Sequence, residues 1–348
     1  MKYLSAFFAA IFVFTSPVSG HHSDVALDLN SVVTFEGTVT EFSLRNPHTY
    51  FTVATTNESG AQVEWTVQMA SAITVSRRGW NRDSLSVGDQ VSVGAHPARD
   101  GRAYGMLEWI ERDDGIPLTY SIGSRSRQPA NPGPAPSAST IEGRWIVDRS
   151  SLVNYPGGLD QLMIRELSLT DKGKVAEAEY SQDSQDNPEL SCITKPTPGM
   201  IIYTDLYPLE IKFNEIEKTI TIRSQYFDQE RTVYMDGRNH PDAGTRFHEG
   251  HSIGSWENDV LVVDTKNFAD HRSPYQNGIP SGAQKHVVER YQLGENNARM
   301  AVEFMLEDSE YILGSMTHKR ELIYSPQMNM SPFNCDLEAT RRYLPPQP

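Results

Sequence analysis

The chain has 348 residues, a formal net charge of -14 at pH 7 and 38% hydrophobic residues. This length is more than one small domain usually holds and indicates two domains. The negative charge repels phosphate backbones and anionic lipid headgroups, so we expect no nucleic-acid partner and no attraction to a membrane surface.

The first twenty residues predict an export signal. Lys2 precedes an apolar run from Leu4 to Phe14, and small residues occupy the last and third-last positions before a cut after Gly20. These are the features of a secretory signal, and the run is too short for a membrane helix. We expect a periplasmic or secreted protein that has no integral membrane segment after cleavage and begins with His21 and His22.

Residues 21–120 predict an OB-like domain. Five segments are rich in β-branched and aromatic residues, and a helix is expected after the third. The segments are Val32–Phe42, His48–Thr55, Val63–Met69, Gln90–Ala95 and Tyr104–Arg112, with the helix over Ala70–Trp80. This is the element order of an OB-type barrel, in which the loops after the first and fourth strands meet at the binding face.

Residues 121–140 predict a linker rich in Pro, Ser and Gly, and residues 141–344 predict a second β domain. Hairpin turns separate its strand segments, which are 209–213, 219–226, 231–235, 251–257, 260–265, 286–293 and 300–306. Closure of these strands into a barrel is favoured because it removes exposed edges. Gly143-Arg144-Trp145 is similar to the Gly-x-Trp of lipocalin-type barrels. The expected fold is all-β, an OB-like five-stranded barrel followed by a larger antiparallel lipocalin-like β-barrel.

The two cysteines, Cys192 and Cys335, lie in a chain that is expected to reach an oxidising space. A structural disulfide between them would close a long loop within the second domain. Two inert buried thiols, or a redox or metal role, are the alternatives.

Histidines at the predicted mature N-terminus and in the OB loops predict a metal site of His21, His22 and His48, with His96 as a further candidate. An N-terminal histidine offers an imidazole and a free α-amine, and such nitrogen donors suit Cu(II). Copper is therefore the one cofactor that the sequence suggests. The alternative is a frayed terminus, with His48 bonded within its own loop and His96 capping a strand.

A set of polar residues in the second domain predicts a ligand site or a catalytic site. Strand alternation places Arg231, Glu289 and Asp264 each on the same face as apolar neighbours, so inward-facing strands would bury these charges. Such groups pair or shift their pKa, which is common at functional sites. The candidates for catalysis are His251, His286, Glu289 and Asp264; those for ligand binding are Arg231, Asp236, His240, Trp256, Arg290 and Tyr291.

Three classes of function remain open. The leading hypothesis is a protein that binds a small molecule, and in addition a metal ion, without turnover. The second is a cofactor-independent enzyme of the isomerase, cyclase or hydrolase type, in which Glu289 or Asp264 and His251 or His286 move protons on a mostly apolar substrate. The third is an envelope interaction module without a ligand, with Arg231 in a structural ion pair to Glu289 or Asp264 and with surface histidines.

Several motifs resemble a family of exported bacterial domains of unknown function. In the first half these are His21-His22-Ser23, Glu36-Gly37-Thr38-Val39, Asn46-Pro47-His48, Arg77-Arg78-Gly79-Trp80, Gly88-Asp89 and His96-Pro97. The second half resembles a partner region of such proteins through the Gly250–Glu257 and Val287–Tyr291 motifs. The resemblance implies secretion and the domain limits, and it implies no activity.

Overall fold

The computed structural model describes residues 26–57, 59–113, 117–118, 136–148, 150–151, 162–163, 165–181, 184–275, 278–294 and 296–345. The predicted export signal, His21, His22 and the predicted linker up to residue 135 lie outside the described residues.

The N-terminal half is the expected OB-like barrel. Its strands form one sheet of order β3-β2-β1-β4-β5-β6, and a parallel pairing of β3 with β5 closes the first five into a barrel. The strands are β1 (Val33–Ser43), β2 (Tyr50–Thr56), β3 (Gln62–Gln68), β4 (Gln90–Pro97), β5 (Tyr104–Arg112) and β6 (Pro117–Leu118).

A short helix, α1 (Ala72–Ser76), connects β3 to β4 where a longer helix was expected. It begins at Ser71, whose hydroxyl accepts a hydrogen bond from the Thr74 amide at 3.2 Å. Ile73, Thr74 and Val75 are β-branched in succession, and such residues lose side-chain freedom in a helix. The helix therefore ends after little more than one turn.

The second half is a larger closed barrel of nine strands. In chain order they are β7 (Gly143–Val147), β8 (Leu209–Asn214), β9 (Thr219–Ser224), β10 (Glu230–Tyr234), β11 (His251–Glu257), β12 (Val260–Lys266), β13 (His286–Leu293), β14 (Arg299–Glu307) and β15 (Ser315–Tyr324). Alternate side chains point inward and form one core around Trp145, Leu261, Phe304 and their neighbours. The all-β expectation of a small barrel followed by a larger one is confirmed.

The larger barrel departs from a simple antiparallel meander between β10 and β11. These two strands pair in parallel, with Val233 opposite Ser252, whereas every other neighbouring pair in the barrel is antiparallel. A parallel pair needs a connection that returns along the strand. The segment 235–250 makes that return, so the turn at Asp236-Gly237 does not lead into a hairpin.

The connections of the larger barrel fall into two groups. Short hairpin turns such as 215–218 and 258–259 lie at one end, which we call the open end. The segments 148–208, 225–229, 267–285 and 308–314 all lie at the other end, which we call the capped end. The segment 148–208 also contains the helices α2 (Asp171–Ala178) and α3 (Gly199–Ile202).

The expected disulfide between Cys192 and Cys335 is present and is confirmed. It ties the segment 148–208 at the capped end to the chain that follows β15. The same C-terminal stretch contacts the OB-like barrel, where Asn46 forms a bridge with Cys335. Within the described ranges, no helix has the length and apolar character needed to cross a membrane.

We predict that removing the disulfide destabilises the fold through the unfolded state. The bond spans a sequence separation of 143 residues, and the chain-entropy model gives about 5 kcal/mol for a loop of this size. The double variant Cys192→Ala/Cys335→Ala is compared with the oxidised and the reduced wild type by urea unfolding. An unfolding midpoint in the variant that equals that of the oxidised protein would contradict the prediction.

Candidate functional site

The binding face of the OB-like barrel is covered by the C-terminal stretch of the same chain. Tyr50, on β2, donates its hydroxyl hydrogen bond to the Ala339 carbonyl at 3.2 Å, and the Asp336 amide donates to the Asn46 carbonyl at 2.8 Å. Arg102, in the loop between β4 and β5, donates to the Tyr343 carbonyl. Both loops that were expected to form a binding face therefore pack against residues 333–344.

The OB histidines are engaged in contacts within the protein. Both ring nitrogens of His96 have partners, the Ser31 carbonyl at 2.8 Å and Glu108 Oε2 at 3.3 Å, so neither is free for a metal. His48 lies half-buried against the Tyr50 ring. No group of three or more His, Cys, Asp or Glu side chains suited to a metal ion occurs among the described residues. The copper site of His21, His22 and His48 stays a prediction.

Arg231 and Glu289 face the interior of the larger barrel, as alternation predicts, and they form an ion pair there. Arg231 Nη2 lies 2.6 Å from Glu289 Oε1, and the two side chains are 2% and 0% exposed. The second Nη of Arg231 donates to Ser252 and Thr265, while the Tyr291 hydroxyl donates to Glu289. Burial opposes the charge on Arg231, but the neighbouring Glu289 raises its pKa overall.

Asp264 points outward, and this corrects the expectation that its strand face would be buried in the barrel. Its neighbour on β12, Thr265, is the residue that faces the interior. On the outer surface, Asp264 Oδ1 lies 3.1 Å from Nε2 of both His240 and His286. His240 also meets His251, with their Nδ1 atoms 3.0 Å apart. The predicted set is thus split by the barrel wall.

The outer group has the contacts of a proton-sharing cluster. Burial raises the pKa of Asp264, but the hydrogen bond and charge of His286 lower it below its ordinary value overall. Burial, together with the charges of His240 and Arg238, lowers the pKa of His251. A carboxylate and a histidine in contact can exchange a proton. Glu289 cannot join this exchange because it lies inside the barrel.

The remaining predicted ligand residues lie away from both groups. Asp236 forms an ion pair with Arg238 in the turn after β10, and Arg290 forms one with Glu257 on the outer surface. Trp256 lies at the open end of the barrel, 47% exposed. There it lines a surface cavity of about 390 Å³ together with Phe213 and Met235.

A second buried polar group lies at the capped end and was not predicted from the sequence. Gln229 Nε2 donates to Glu249 Oε2 and to the Lys195 carbonyl, each at 2.8 Å, and the Thr197 amide donates to Glu249 Oε2 at 3.2 Å. These contacts bring segments 148–208, 225–229 and 235–250 together. Burial raises the pKa of Glu249.

His271 extends this group into the segment 267–285. Its Nδ1 accepts a hydrogen bond from the Ser273 amide at 3.1 Å, which places the ring proton of the neutral side chain on Nε2. Its ring lies 5.7 Å from that of His248, and its backbone bridges to Ser281. Burial, reinforced by the charge of His248, lowers the pKa of His271 to about 3.

Lys285 is the third member of the capped-end group and the most unusual. Its side chain is fully buried, and its Nζ has no hydrogen-bond partner in the protein. The Nζ lies 4.3 Å from the ring centre of Phe268 and 5.2 Å from that of Tyr275. Burial lowers the pKa of Lys285 to about 7, although the charges of Glu249 and Asp308 act in the opposite direction.

Several buried side-chain atoms of this group lack a hydrogen-bond partner in the protein. We call these residues the polar cluster, and the atoms are Thr197 Oγ1, Gln229 Oε1, His271 Nε2, Tyr275 Oη, Ser281 Oγ and Lys285 Nζ. All six residues are less than 9% exposed. Buried polar atoms are paired in most native structures, and each exception calls for an explanation. Several such atoms at one end of a barrel are typical of a site that receives a molecule from outside the chain.

We predict that removing one partner of the interior ion pair is far more damaging than removing both. Arg231→Met leaves Glu289 buried and unpaired, which costs about 3 to 5 kcal/mol of unfolding free energy. Arg231→Met/Glu289→Leu replaces both charges by apolar groups and recovers most of that loss. Urea unfolding of the three proteins at pH 7 measures this. If the single and double variants are equally unstable, the pair does not form as described.

We also predict that stability falls in mild acid through His271. The unfolded side chain takes up a proton near pH 6.5, whereas the folded one remains neutral down to about pH 3. Between these pH values the unfolded state therefore binds the extra proton, and unfolding free energy falls by up to about 1.4 kcal/mol per pH unit. His271→Gln removes this slope. Parallel stability curves for wild type and variant from pH 6 to pH 4 would contradict the prediction.

Comparisons with known proteins give a family for one part of the chain. No curated protein matches the sequence. Among solved structures, the chain is similar to the N-terminal domain of PriB from Thermoanaerobacter tencongensis at 20% identity, over 24% of this chain and 96% of that one, with a TM-score of 0.17. The N-terminal part of the chain, residues 10–108, matches the model of a family of unknown function, DUF6152, in agreement with the resemblance seen in its motifs.

Proposed function

We propose that the chain is an exported protein whose larger barrel binds one small polar organic molecule at the polar cluster. The observation that carries this proposal is the concentration of unpaired buried polar atoms at the capped end. A buried group left without a partner costs about 1 to 3 kcal/mol. A ligand that supplies the missing hydrogen bonds offsets this cost, and its binding then stabilises the fold.

The chemistry of the polar cluster describes the ligand. The hydroxyls of Thr197, Tyr275 and Ser281 can donate, as can His271 Nε2, whereas Gln229 Oε1 accepts. Phe268 and Tyr275 add aromatic surface beside Lys285. A molecule that carries both donors and acceptors on a partly apolar frame fits this combination, as in most small-molecule sites.

The proton-transfer hypothesis keeps one specific observation in its favour. Asp264 contacts His240 and His286 on the outer surface at hydrogen-bond distance. This arrangement could serve a reaction in which a bound molecule loses and regains a proton. It is separated from the polar cluster by the barrel wall, so variants distinguish the two sites. His286→Gln would abolish such a reaction and leave binding at the polar cluster unchanged.

We predict that the full chain, purified after export, retains a small organic molecule in native mass spectrometry and loses it on denaturation. Gln229→Leu and Ser281→Ala each remove an unpaired polar atom at the capped end, so the retained fraction should fall at least tenfold. Trp256→Ala is the matched control, because Trp256 lines the cavity at the open end. It should leave the retained fraction unchanged.

Three other outcomes would overturn the proposal. If Trp256→Ala alone releases the molecule, the ligand occupies the open end. If no organic mass is retained and the capped-end variants match the wild type in thermal stability, buried water satisfies the polar cluster. If the exported protein retains only a metal ion that is lost in His48→Ala, the N-terminal site is the functional one.

A further inference from the structure

We propose that Lys285 bonds covalently to the ligand, as an amine that forms an imine with an aldehyde or ketone. This inference rests on the proposed function, since it assigns the ligand class and one bond at the same polar cluster. It is carried by the position of Lys285 Nζ, which is buried, without a hydrogen-bond partner in the protein, and bordered by two aromatic rings.

A buried lysine in a structural role is normally held by a carboxylate. Lys195, at the same end of the barrel, is of this kind, because its Nζ forms an ion pair with Glu189. Lys285 is just as deeply buried, yet the described carboxylates form no ion pair with it. Its nearest described contacts are the faces of Phe268 and Tyr275. The contrast between the two lysines indicates that Lys285 is not placed there to pair a charge.

The surroundings of Lys285 make its amine available as a nucleophile. Desolvation disfavours the ammonium form, and the pKa of about 7 leaves a large fraction of neutral amine near neutral pH. Glu249 and Asp308 oppose this, but the pKa of each is itself raised by burial, which weakens their negative charge. His271 stays neutral, and burial raises the pKa of Tyr275, so neither adds a charge near neutral pH.

The reaction needs no further reagent. The lone pair of Lys285 Nζ attacks the carbonyl carbon, and one N–H proton is transferred to the carbonyl oxygen to give a carbinolamine. The hydroxyl then leaves with the second N–H proton as water, and the C=N bond forms. Hydrogen-bond donors of the polar cluster, such as the Tyr275 hydroxyl and His271 Nε2–H, would stabilise the developing charge on oxygen. Addition of water reverses each step.

The test is the pH dependence of reductive alkylation of the full chain with propanal and cyanoborohydride, followed lysine by lysine by peptide mass spectrometry. Exposed Lys212 and Lys319 are internal controls, with side chains 63% and 55% exposed. Between pH 6.5 and pH 9 the neutral fraction of an ordinary lysine rises about 300-fold. For Lys285 it rises only about 4-fold, from its pKa of about 7. The ratio of Lys285 labelling to Lys319 labelling should therefore fall about 75-fold over this range.

A constant ratio, or no labelling of Lys285, would overturn the inference. A second arm treats the protein that carries its retained molecule with borohydride, which should fix that mass on Lys285. Lys285→Met should give no adduct and unfold at a higher temperature, because the buried amine is removed. A retained molecule that borohydride never fixes would leave the proposed function standing and overturn the imine. Absence of any retained molecule, with capped-end variants like wild type, would remove the proposed function instead.

Discussion

Closing nine strands into a barrel satisfies every strand edge but leaves two ends, and the structure depends on how these ends are covered. The open end has short hairpins and a surface cavity beside Trp256. The capped end is covered by long segments, of which 148–208 is tied by the disulfide to the stretch after β15. That stretch also covers the binding face of the OB-like barrel. The same few residues therefore join the two barrels and close the end that carries the polar cluster.

The strands that alternate cleanly are the ones that the sequence predicts. The OB-like domain was predicted to within one or two residues at most strand ends, because β-branched and aromatic residues alternate there between clear turn signals. The strand β15 was not predicted. Its inward positions include His318 and Arg320, so the apolar alternation is interrupted where it would have to be strongest. The parallel pairing of β10 with β11 was also missed, since Asp236-Gly237 has the composition of a hairpin turn.

The candidate site was predictable only where it lies on strands. Alternation placed Arg231 and Glu289 inside the barrel, but it cannot tell which of two faces with apolar residues is the inner one, and Asp264 was assigned to the wrong side. His271 and Lys285 lie in the irregular segment 267–285, where no period relates one residue to the next. One signal was present: no charged residue occurs from Ser273 to Gln284, so Lys285 ends a long uncharged stretch.

The energetics of Lys285 argue that its burial serves something other than folding. Its folded pKa of about 7 lies below the ordinary value of a lysine, so the unfolded state binds the extra proton from pH 7 up to about pH 10.5. Stability therefore rises with pH across that window, and the cost of burying the amine is present in full below it. A chain that needed only stability would have an apolar residue here. Residues that destabilise a fold and lack a partner within it are concentrated at functional sites. The disulfide and the packed C-terminal stretch supply the stability that lets the capped end keep such a residue.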